Sequence, residues 1–372
     1  MKVMTILGTR PEIIRLSAVI KACDKFFDHL LVHTGQNWDY TLNEVFFKDL
    51  DIRKPDYFLD VAGEHLGETM GNIISRSYEI LSKEMPEALL VLGDTNSTLS
   101  TISAKRLKIP IFHMEAGNRC FDQNVPEETN RRIVDHISDI NLPYTEHSRR
   151  YLLLEGFRRD HIFVTGSPMA EVLFQQREKI DRSDVLGRLK LKRDKYILVS
   201  AHREENMDDE RNFLDLVSAL NKVAEEFKLS IVYSTHPRSL KRIKEKKIKF
   251  NPLIKNLEPF GFLDYNKLQK NAFCVISDSG TLSEESSILR FPAVLFRTST
   301  ERPEVMDKGT MVIGGIKSDH LIQAIHTARN TFDEFSDRPN PQDYKDLNVS
   351  SKVVKIIQSY TKIINKVIWY KY

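Results

Sequence analysis

Short apolar segments recur along the chain, and segments with helical spacing separate them. Continuous apolar runs of this length are typical of strands buried on both faces of a parallel sheet. The expected strands are Val3–Leu7, Leu30–His33, Leu89–Leu92, Ile109–His113, Ile140–Leu142, Ile162–Val164, Tyr196–Ser200, Ser230–Ser234, Phe273–Ser277, Ala293–Phe296 and Met311–Ile313. The expected helices between them include Glu12–Phe26, Leu66–Lys83, Asn212–Phe227 and Leu282–Leu289. Alternation of this kind predicts a doubly wound α/β fold.

The length of 372 residues suits two domains better than one. The strands divide into two groups of similar size, so we expect two Rossmann-like lobes of the GT-B type. The first lobe is predicted to cover residues 1–167 and the second residues 168–351. The amphipathic segment 352–372 is expected to pack back on the first lobe.

Composition excludes several classes of protein. The net charge is +3 with acidic and basic residues nearly balanced, which argues against a nucleic-acid binder. The chain has no apolar stretch long enough to span a bilayer and no signal peptide, so we expect a cytoplasmic protein. The three cysteines have no metal-ligand or disulfide-framework spacing, and His202 and His236 are not spaced as a ligand pair. No metal site is predicted.

Polar and charged residues follow almost every expected strand. Ligands of open parallel sheets bind outside the carboxyl ends of the strands. Loops are polar in any protein, but that alone does not predict His, Arg, Asp and Glu after so many successive strands. We therefore expect a ligand site at these edges, in the crevice between the two lobes.

The segment Ser277–Thr281 follows one strand and precedes a helix. Backbone N–H groups at a helix start, with Gly280 allowing close approach, can bind phosphate; the alternative is an ordinary helix cap. Glu285, one turn into that helix, could reach a ribose diol. The segment Gly8–Glu12 has the same strand–turn–helix pattern. No G-x-G-x-x-G or Walker A motif occurs, which disfavours dinucleotide binding and ATP hydrolysis.

Carboxylates and cations supply the remaining candidates. Carboxylates gathered at one site can divide acid and base work. The alternative for Glu127 and Glu128 is that they only stabilise the positive N-terminal end of a helix. The cations could bind a diphosphate and stabilise its departure. The acidic candidates are Asp94, Glu115, Glu127 and Glu128, and the basic ones are Arg10, Arg131, His202, Arg203 and Arg302.

Ordered motifs over nearly the whole chain resemble the non-hydrolysing UDP-N-acetylglucosamine 2-epimerase family. They are Gly8-Thr9-Arg10-Pro11-Glu12, Gly35-Gln36, Gly93-Asp94-Thr95, His113-Met114-Glu115-Ala116-Gly117, Pro126-Glu127-Glu128-Thr129-Asn130-Arg131, His202-Arg203-Glu204, Ser277-Asp278-Ser279-Gly280 and Thr300-Glu301-Arg302-Pro303-Glu304.

The resemblance implies a UDP-linked 2-acetamido sugar as substrate, no added cofactor and a homodimer. It implies elimination of UDP to a 2-acetamidoglycal, followed by re-addition. The implied acid–base groups are Asp94, Glu115 and Glu127, supported by Arg131 and His202. The residues implied to hold the nucleotide sugar are Arg10, Arg15, His202, Arg203, Ser279, Gly280, Glu285 and Arg302.

Several positions depart from the enzymes that act on UDP-N-acetylglucosamine. Those enzymes usually have Lys in place of Arg15 and Leu in place of Asn118. The segments 119–131 and 135–141 resemble the subgroup that converts UDP-2-acetamido-2,6-dideoxy-L-talose to UDP-N-acetyl-L-fucosamine for capsule or O-antigen polysaccharide. That reaction is the favoured interpretation. The alternatives are a UDP-N-acetylglucosamine/UDP-N-acetylmannosamine 2-epimerase, a hydrolysing epimerase and a glycosyltransferase of the same fold.

Overall fold

The computed structural model describes the chain except for residues 37–39, 202–209, 236–239, 241, 244, 247, 335–339 and 372, and gives no side-chain surroundings for 40–44 and 210–212. It consists of two compact units. The first comprises Met1–Gln175 and Lys345–Tyr372, and the second Gln176–Tyr344. Each unit has a parallel sheet with flanking helices, so the predicted two-lobed α/β fold is confirmed.

Twelve strands lie in the described part of the chain. Their bounds are β1 Lys2–Leu7, β2 Asp28–His33, β3 Tyr57–Phe58, β4 Ala88–Leu92, β5 Ile111–Met114, β6 Ile140–Leu142, β7 Tyr196–Ser200, β8 Ser230–Ser234, β9 Ile254–Leu257, β10 Cys274–Ser277, β11 Ala293–Leu295 and β12 Val312–Ile313.

The helices within the same described residues follow in chain order. They are α1 Arg10–Phe26, α2 Tyr40–Asp49, α3 Leu66–Glu84, α4 Ser100–Arg106, α5 Pro126–Ile137, α6 Glu146–Leu154, α7 Pro168–Arg182, α8 Val185–Arg188, α9 Glu210–Phe227, α10 Phe262–Asn271, α11 Thr281–Leu289, α12 Pro303–Asp307, α13 Ser318–Glu334 and α14 Val349–Val367, with short 3₁₀ helices at Asn96–Leu99, Arg159–His161 and Gln342–Tyr344. None of these helices is long and apolar enough to cross a membrane.

The two sheets share one strand order. The first runs β3-β2-β1-β4-β5-β6 and the second runs β9-β8-β7-β10-β11-β12 when read from its other edge. This is the doubly wound order, in which the chain direction across the sheet reverses at one point. The reversal lies between β1 and β4 in the first sheet and between β7 and β10 in the second. The carboxyl ends of those strand pairs are where ligands of such sheets bind.

One strand prediction was wrong, and two strands were missed. Residues 162–164 form a single bridge from Ile162 to Asn141 and no full strand. The edge strands Tyr57–Phe58 and Ile254–Leu257 were not predicted. The first has only two residues. The second, Ile-Lys-Asn-Leu, carries two polar residues because an edge strand is not enclosed on all sides, so it lacks the continuous apolar run on which the prediction depended.

The boundaries of the two compact units lie a few residues from the predicted lobe boundaries. The predicted boundaries were 167/168 and 351/352, whereas the compact units divide at 175/176 and 344/345. The start of α7 stays with the first unit because Glu171 accepts hydrogen bonds from Ser350, at 2.8 Å from its backbone nitrogen and 2.6 Å from its hydroxyl. Lys352 Nζ also donates to the Thr165 carbonyl at 2.9 Å. These bonds tie α14 to the segment that precedes and begins α7.

Candidate active site

The reversal point of the first sheet brings together the loops after β1, β4 and β5. Gly93 has a φ of 76°, and a side chain on it would place its Cβ 3.2 Å from Glu115 Oε2. The backbone nitrogen of Gly93 donates to the Met114 carbonyl at 3.0 Å, and that of Glu115 donates to the Leu142 carbonyl at 3.1 Å. A glycine is required at residue 93 both by its backbone conformation and by the approach of the Glu115 carboxylate.

Glu115 adopts a backbone conformation that is unusual for a residue with a side chain. Its φ is 66°, in the left-handed region that costs free energy for non-glycine residues and is enriched at functional sites. The carboxylate is buried, and its Oε1 accepts a hydrogen bond from Arg15 Nη1. Asn118 Nδ2 donates to the same oxygen at 3.3 Å. A buried carboxylate is therefore fixed in place by a cation and an amide.

Asp94 and Arg131 form a second ion pair near the same reversal point. Arg131 Nε lies 2.7 Å from Asp94 Oδ2, and Arg131 Nη1 lies 3.0 Å from Glu128 Oε2. The α5 helix supplies both Arg131 and Glu128, one turn apart, and Pro126 at its first turn suits the helix start. Arg131 thus bridges two carboxylates and sets the position of the one on the β4 loop.

The two neighbouring glutamates of α5 differ in surroundings. Glu127, the predicted acid–base residue, is half-buried, and the described residues give it no hydrogen bond or ion pair. Glu128 is fully buried. Burial raises the pKa of Glu128, but the Cys120 backbone N–H and the Arg131 guanidinium outweigh it and hold the pKa below its usual range. Glu128 therefore serves as a fixed anion that orients Arg131. The acid–base role of Glu127 stays a prediction.

Glu12 is a buried carboxylate that the sequence argument did not single out. Its Oε2 accepts hydrogen bonds from Gly8 N at 3.1 Å, Thr9 Oγ1 at 2.8 Å and Thr95 Oγ1 at 3.0 Å, and its Oε1 from Ser97 Oγ at 2.5 Å. Burial raises the pKa of Glu12 to about 7 despite these four donors. The carboxylate joins the loop after β1 to the loop that carries Asp94. The sequence signal that could have identified this carboxylate is the set of hydroxyl residues that follow β1 and β4, namely Thr9, Thr95 and Ser97.

A buried network holds the loop that follows Glu115. Arg119 Nη1 donates to Asp135 Oδ2 at 2.7 Å, and Arg119 Nε and Nη2 bind Glu155 at 2.8 and 2.6 Å. His113 Nδ1 lies 2.9 Å from Asp135 Oδ1. Burial raises the pKa of Asp135, but His113 and Arg119 outweigh it, so the carboxylate ionises below its usual pKa. The network fixes the backbone on both sides of the segment from Glu115 to Arg119.

Arg10 and Arg15 lie on α1, which begins directly after the β1 loop. The guanidinium carbon of Arg10 lies 5.8 Å from the centre of the Phe46 ring, within the range of a cation–π contact. Arg10 is half-buried, whereas Arg15 is buried and bonded to Glu115. Arg15 thus contacts a candidate acid–base carboxylate directly.

In the second unit, Ser279 and Gly280 lie between β10 and α11, at the reversal point of that sheet. Ser279 N donates to Ser277 Oγ at 3.1 Å, and the Ser279 hydroxyl donates to Thr281 Oγ1 at 3.2 Å. A Cβ on Gly280 would collide with Glu301 Oε1, whose carboxylate is held by Arg297 at 2.7 Å. The close approach of Glu301 therefore favours glycine at residue 280, directly before α11, although its backbone is in the ordinary right-handed region.

Glu285 and Arg302 are both buried in the second unit. Gln269 Nε2 donates to Glu285 Oε2 at 2.6 Å. Burial and the Glu285 charge both raise the pKa of Tyr265. Arg302 Nη2 lies 3.4 Å from Glu284 Oε2, so this predicted phosphate-binding cation has an acidic neighbour one position before Glu285.

Two predicted site residues, His202 and Arg203, lie outside the described residues, and so does His236. Among the residues that are described, no group of three or more His, Cys, Asp or Glu side chains could hold a metal ion.

The sequence matches one family model and several characterised relatives. The model is that of the UDP-N-acetylglucosamine 2-epimerase family, and it matches residues 21–358. The UDP-N-acetylglucosamine 2-epimerase of Methanocaldococcus jannaschii is 37% identical over 339 residues, 89% of this chain and 93% of that protein. A Pseudomonas aeruginosa UDP-2,3-diacetamido-2,3-dideoxy-D-glucuronate 2-epimerase is 34% identical over 335 residues, 88% of this chain and 92% of that protein.

Solved structures of UDP-N-acetylglucosamine 2-epimerases are similar to the chain over nearly its whole length. The structure of a Rickettsia bellii UDP-N-acetylglucosamine 2-epimerase is 47% identical, with a TM-score of 0.90 and 100% of both chains covered. The Methanocaldococcus jannaschii enzyme in complex with UDP-GlcNAc and UDP is 35% identical, with a TM-score of 0.90 over 96% of this chain and 99% of that one. The chain therefore belongs to the UDP-N-acetylglucosamine 2-epimerase family and is an isomerase of the UDP-sugar 2-epimerase class.

Proposed function

We propose that the chain inverts C2 of a UDP-linked 2-acetamido sugar by eliminating and re-adding UDP. The observation that carries the proposal is the pair of arginine-held carboxylates, Glu115 and Asp94, at the reversal point of the first sheet. Inversion at C2 needs a group that removes the proton from one face and a group that returns it to the other. Two or more fixed carboxylates meet that need.

The proposed steps balance without an oxidant or reductant. A carboxylate takes the C2 proton, the C–H electrons form the C1–C2 double bond, and the C1–O bond breaks with its electron pair leaving on UDP. In the return step a UDP oxygen adds to C1, and a carboxylic acid protonates C2 from the opposite face. Asp94, Glu115 and Glu127 divide this work, and Arg131 and His202 support it.

We assign the UDP moiety to the second unit. Ser279 and Gly280 at the N-terminal end of α11 offer backbone N–H groups and a positive helix end to the diphosphate. Glu285, one turn later, is proposed for the ribose, and Arg10, Arg203, His202 and Arg302 for the growing charge on departing UDP. The related Methanocaldococcus jannaschii enzyme has been solved with UDP-GlcNAc and UDP, which supports a nucleotide of this type.

For the sugar we propose UDP-2-acetamido-2,6-dideoxy-L-talose, converted to UDP-N-acetyl-L-fucosamine. Two positions at which the chain departs from enzymes for UDP-N-acetylglucosamine are Arg15 and Asn118, and both contact the same oxygen of Glu115. UDP-N-acetylglucosamine is the second candidate, because the Rickettsia bellii relative at 47% identity carries that name.

The two candidates can be separated in one experiment. The enzyme is incubated in deuterated water with each nucleotide sugar in turn, and C2 deuterium and free UDP are measured. We expect deuterium at C2 of the 6-deoxy-L-talose nucleotide and of its product, with UDP retained. Faster exchange with UDP-N-acetylglucosamine would reverse the choice of sugar. Absence of C2 exchange with either sugar would favour a glycosyltransferase, and accumulating UDP with free sugar would favour a hydrolysing epimerase.

A further inference from the structure

Asn118 lies three residues after Glu115 and is almost completely buried. Its Nδ2 lies 3.3 Å from Glu115 Oε1, the oxygen that Arg15 also contacts. Arg15 comes from α1, whereas Asn118 comes from the same loop as Glu115, so the oxygen is held from two directions. A neutral side chain gives a donor here without adding a second charge beside the carboxylate.

Ser148 on α6 contacts the end of the Asn118 amide opposite to Glu115. The Ser148 hydroxyl donates to Asn118 Oδ1 at 2.9 Å. An amide has donors only on its nitrogen and accepts through its oxygen. Because the oxygen faces Ser148, the nitrogen faces Glu115. The backbone nitrogen of Ser148 donates in turn to Thr145 Oγ1 at 3.3 Å, at the start of α6.

The backbone around Asn118 is clamped as well. Gly117 N donates to both oxygens of Asp135, at 3.2 and 3.1 Å, and the Asn118 carbonyl accepts from Arg119 Nη1 at 2.8 Å. Gly117 has a φ of 78°, and a Cβ there would collide with the Ser148 carbonyl. The amide of Asn118 is therefore presented to Glu115 by a loop with little freedom to move.

We propose that Asn118 is a positioning residue for the epimerisation, holding the Glu115 carboxylate through Oε1 with Ser148 as its support. The proposal rests on the acid–base role proposed above for Glu115. Proton transfer at C2 requires the carboxylate to lie within hydrogen-bond reach of one carbon in a fixed direction. A carboxylate anchored at one oxygen by two donors from different elements loses less entropy when it reaches that geometry.

The test replaces Asn118 by leucine, which is similar in size and has no donor. Enzymes for UDP-N-acetylglucosamine usually carry leucine here together with lysine at residue 15, whereas the variant keeps Arg15 beside the carboxylate. Steady-state rates are measured on whichever of the two nucleotide sugars reacts faster. We expect kcat to fall about tenfold, the rate equivalent of one hydrogen bond to a charged group, with KM within about twofold because UDP binding is untouched. Asn124→Leu is the matched control, since Asn124 is exposed and, among the described residues, its side chain bonds to Asp122 alone. It should leave kcat unchanged.

Ser148→Ala tests the same contact from its other end and removes a single atom. We expect a loss in kcat of about threefold, and the Asn118→Leu/Ser148→Ala double variant should be no slower than Asn118→Leu alone, because both act through one bond. Multiplied losses, or an unchanged kcat in Asn118→Leu, would overturn the proposal. If Asn118→Leu does not fold, an unchanged kcat in Ser148→Ala overturns it instead.

Glu115→Gln is measured in the same assay. It distinguishes failure of the positioning role of Asn118 from failure of the acid–base role proposed for Glu115. Loss of turnover in Glu115→Gln with normal turnover in Asn118→Leu removes the positioning role only. Normal turnover in a folded Glu115→Gln protein removes the proposed function of Glu115 itself.

Discussion

Glu12→Gln removes a buried ionisable group while keeping its shape. Gly8, Thr9 and Thr95 all donate to one oxygen of Glu12 and only Ser97 donates to the other. A glutamine can keep its oxygen towards the three donors and turn its NH₂ towards Ser97, whose hydroxyl can accept. Thr95 and Ser97 lie 2.7 Å apart, so the Ser97 proton still has an acceptor. The variant is therefore expected to fold.

The effect on stability depends on pH with a defined sign. Burial raises the pKa of Glu12 from its ordinary value of 4.5 to about 7 in the folded protein. The folded state thus binds this proton more tightly than the unfolded state. The contribution of the proton to the free energy of unfolding is fully present below about pH 4.5 and is lost as pH rises through about 7. The rise in the pKa of Glu12 from 4.5 to about 7 corresponds to a loss of about 3 kcal/mol in the free energy of unfolding between low and high pH. Glutamine has no such dependence.

Urea unfolding at several pH values between about 5 and 8 measures this difference. Trp369 belongs to the first unit, and the sequence of the second unit, Gln176–Tyr344, contains no tryptophan, so tryptophan fluorescence does not report on the second unit. We expect Glu12→Gln to gain up to about 3 kcal/mol relative to the wild type as pH rises. Glu79→Gln, an exposed change on α3, is the control. A stability difference between Glu12→Gln and wild type that does not vary with pH would refute the reasoning.

Two further substitutions test the two units separately. Glu115→Gln should lower kcat by at least about a hundredfold in a protein that still folds. C2 deuterium exchange measures the first and circular dichroism the second, and a folded variant with normal exchange would exclude the residue from the chemistry. Gly280→Ala places a Cβ against Glu301, so UDP affinity measured by calorimetry should fall about tenfold or more, and unchanged affinity would remove this turn from the UDP site.

Local sequence patterns predicted the elements well where a strand is enclosed on both faces. Leu89–Leu92 is a continuous apolar run, and Val3–Leu7 is interrupted only by Thr5; both are central strands of the first sheet. The short edge strand Tyr57–Phe58 was missed, and Ile162–Val164 was wrongly assigned, because an apolar run alone does not say whether a neighbouring strand is available for pairing.

The loops after the strands were predicted as the functional edge, but their contacts were not. The contact of Asn118 with Glu115 depends on a left-handed backbone at Glu115, which no local periodicity encodes. The burial of Glu128 rather than Glu127 depends on how α5 faces the rest of the unit. Glu12 gathers donors from two loops that are far apart in sequence, so its environment exists only once the sheet has formed.

Reversible cleavage of the C1–O bond can be measured most directly with a heavy-oxygen label in the oxygen that bridges C1 and the β-phosphate. If UDP leaves and adds back, the β-phosphate can rotate before re-addition, and the label moves to non-bridging positions. We predict that the nucleotide sugar recovered after epimerisation carries scrambled label together with deuterium at C2. Inversion at C2 with the label still entirely in the bridging position would contradict UDP elimination.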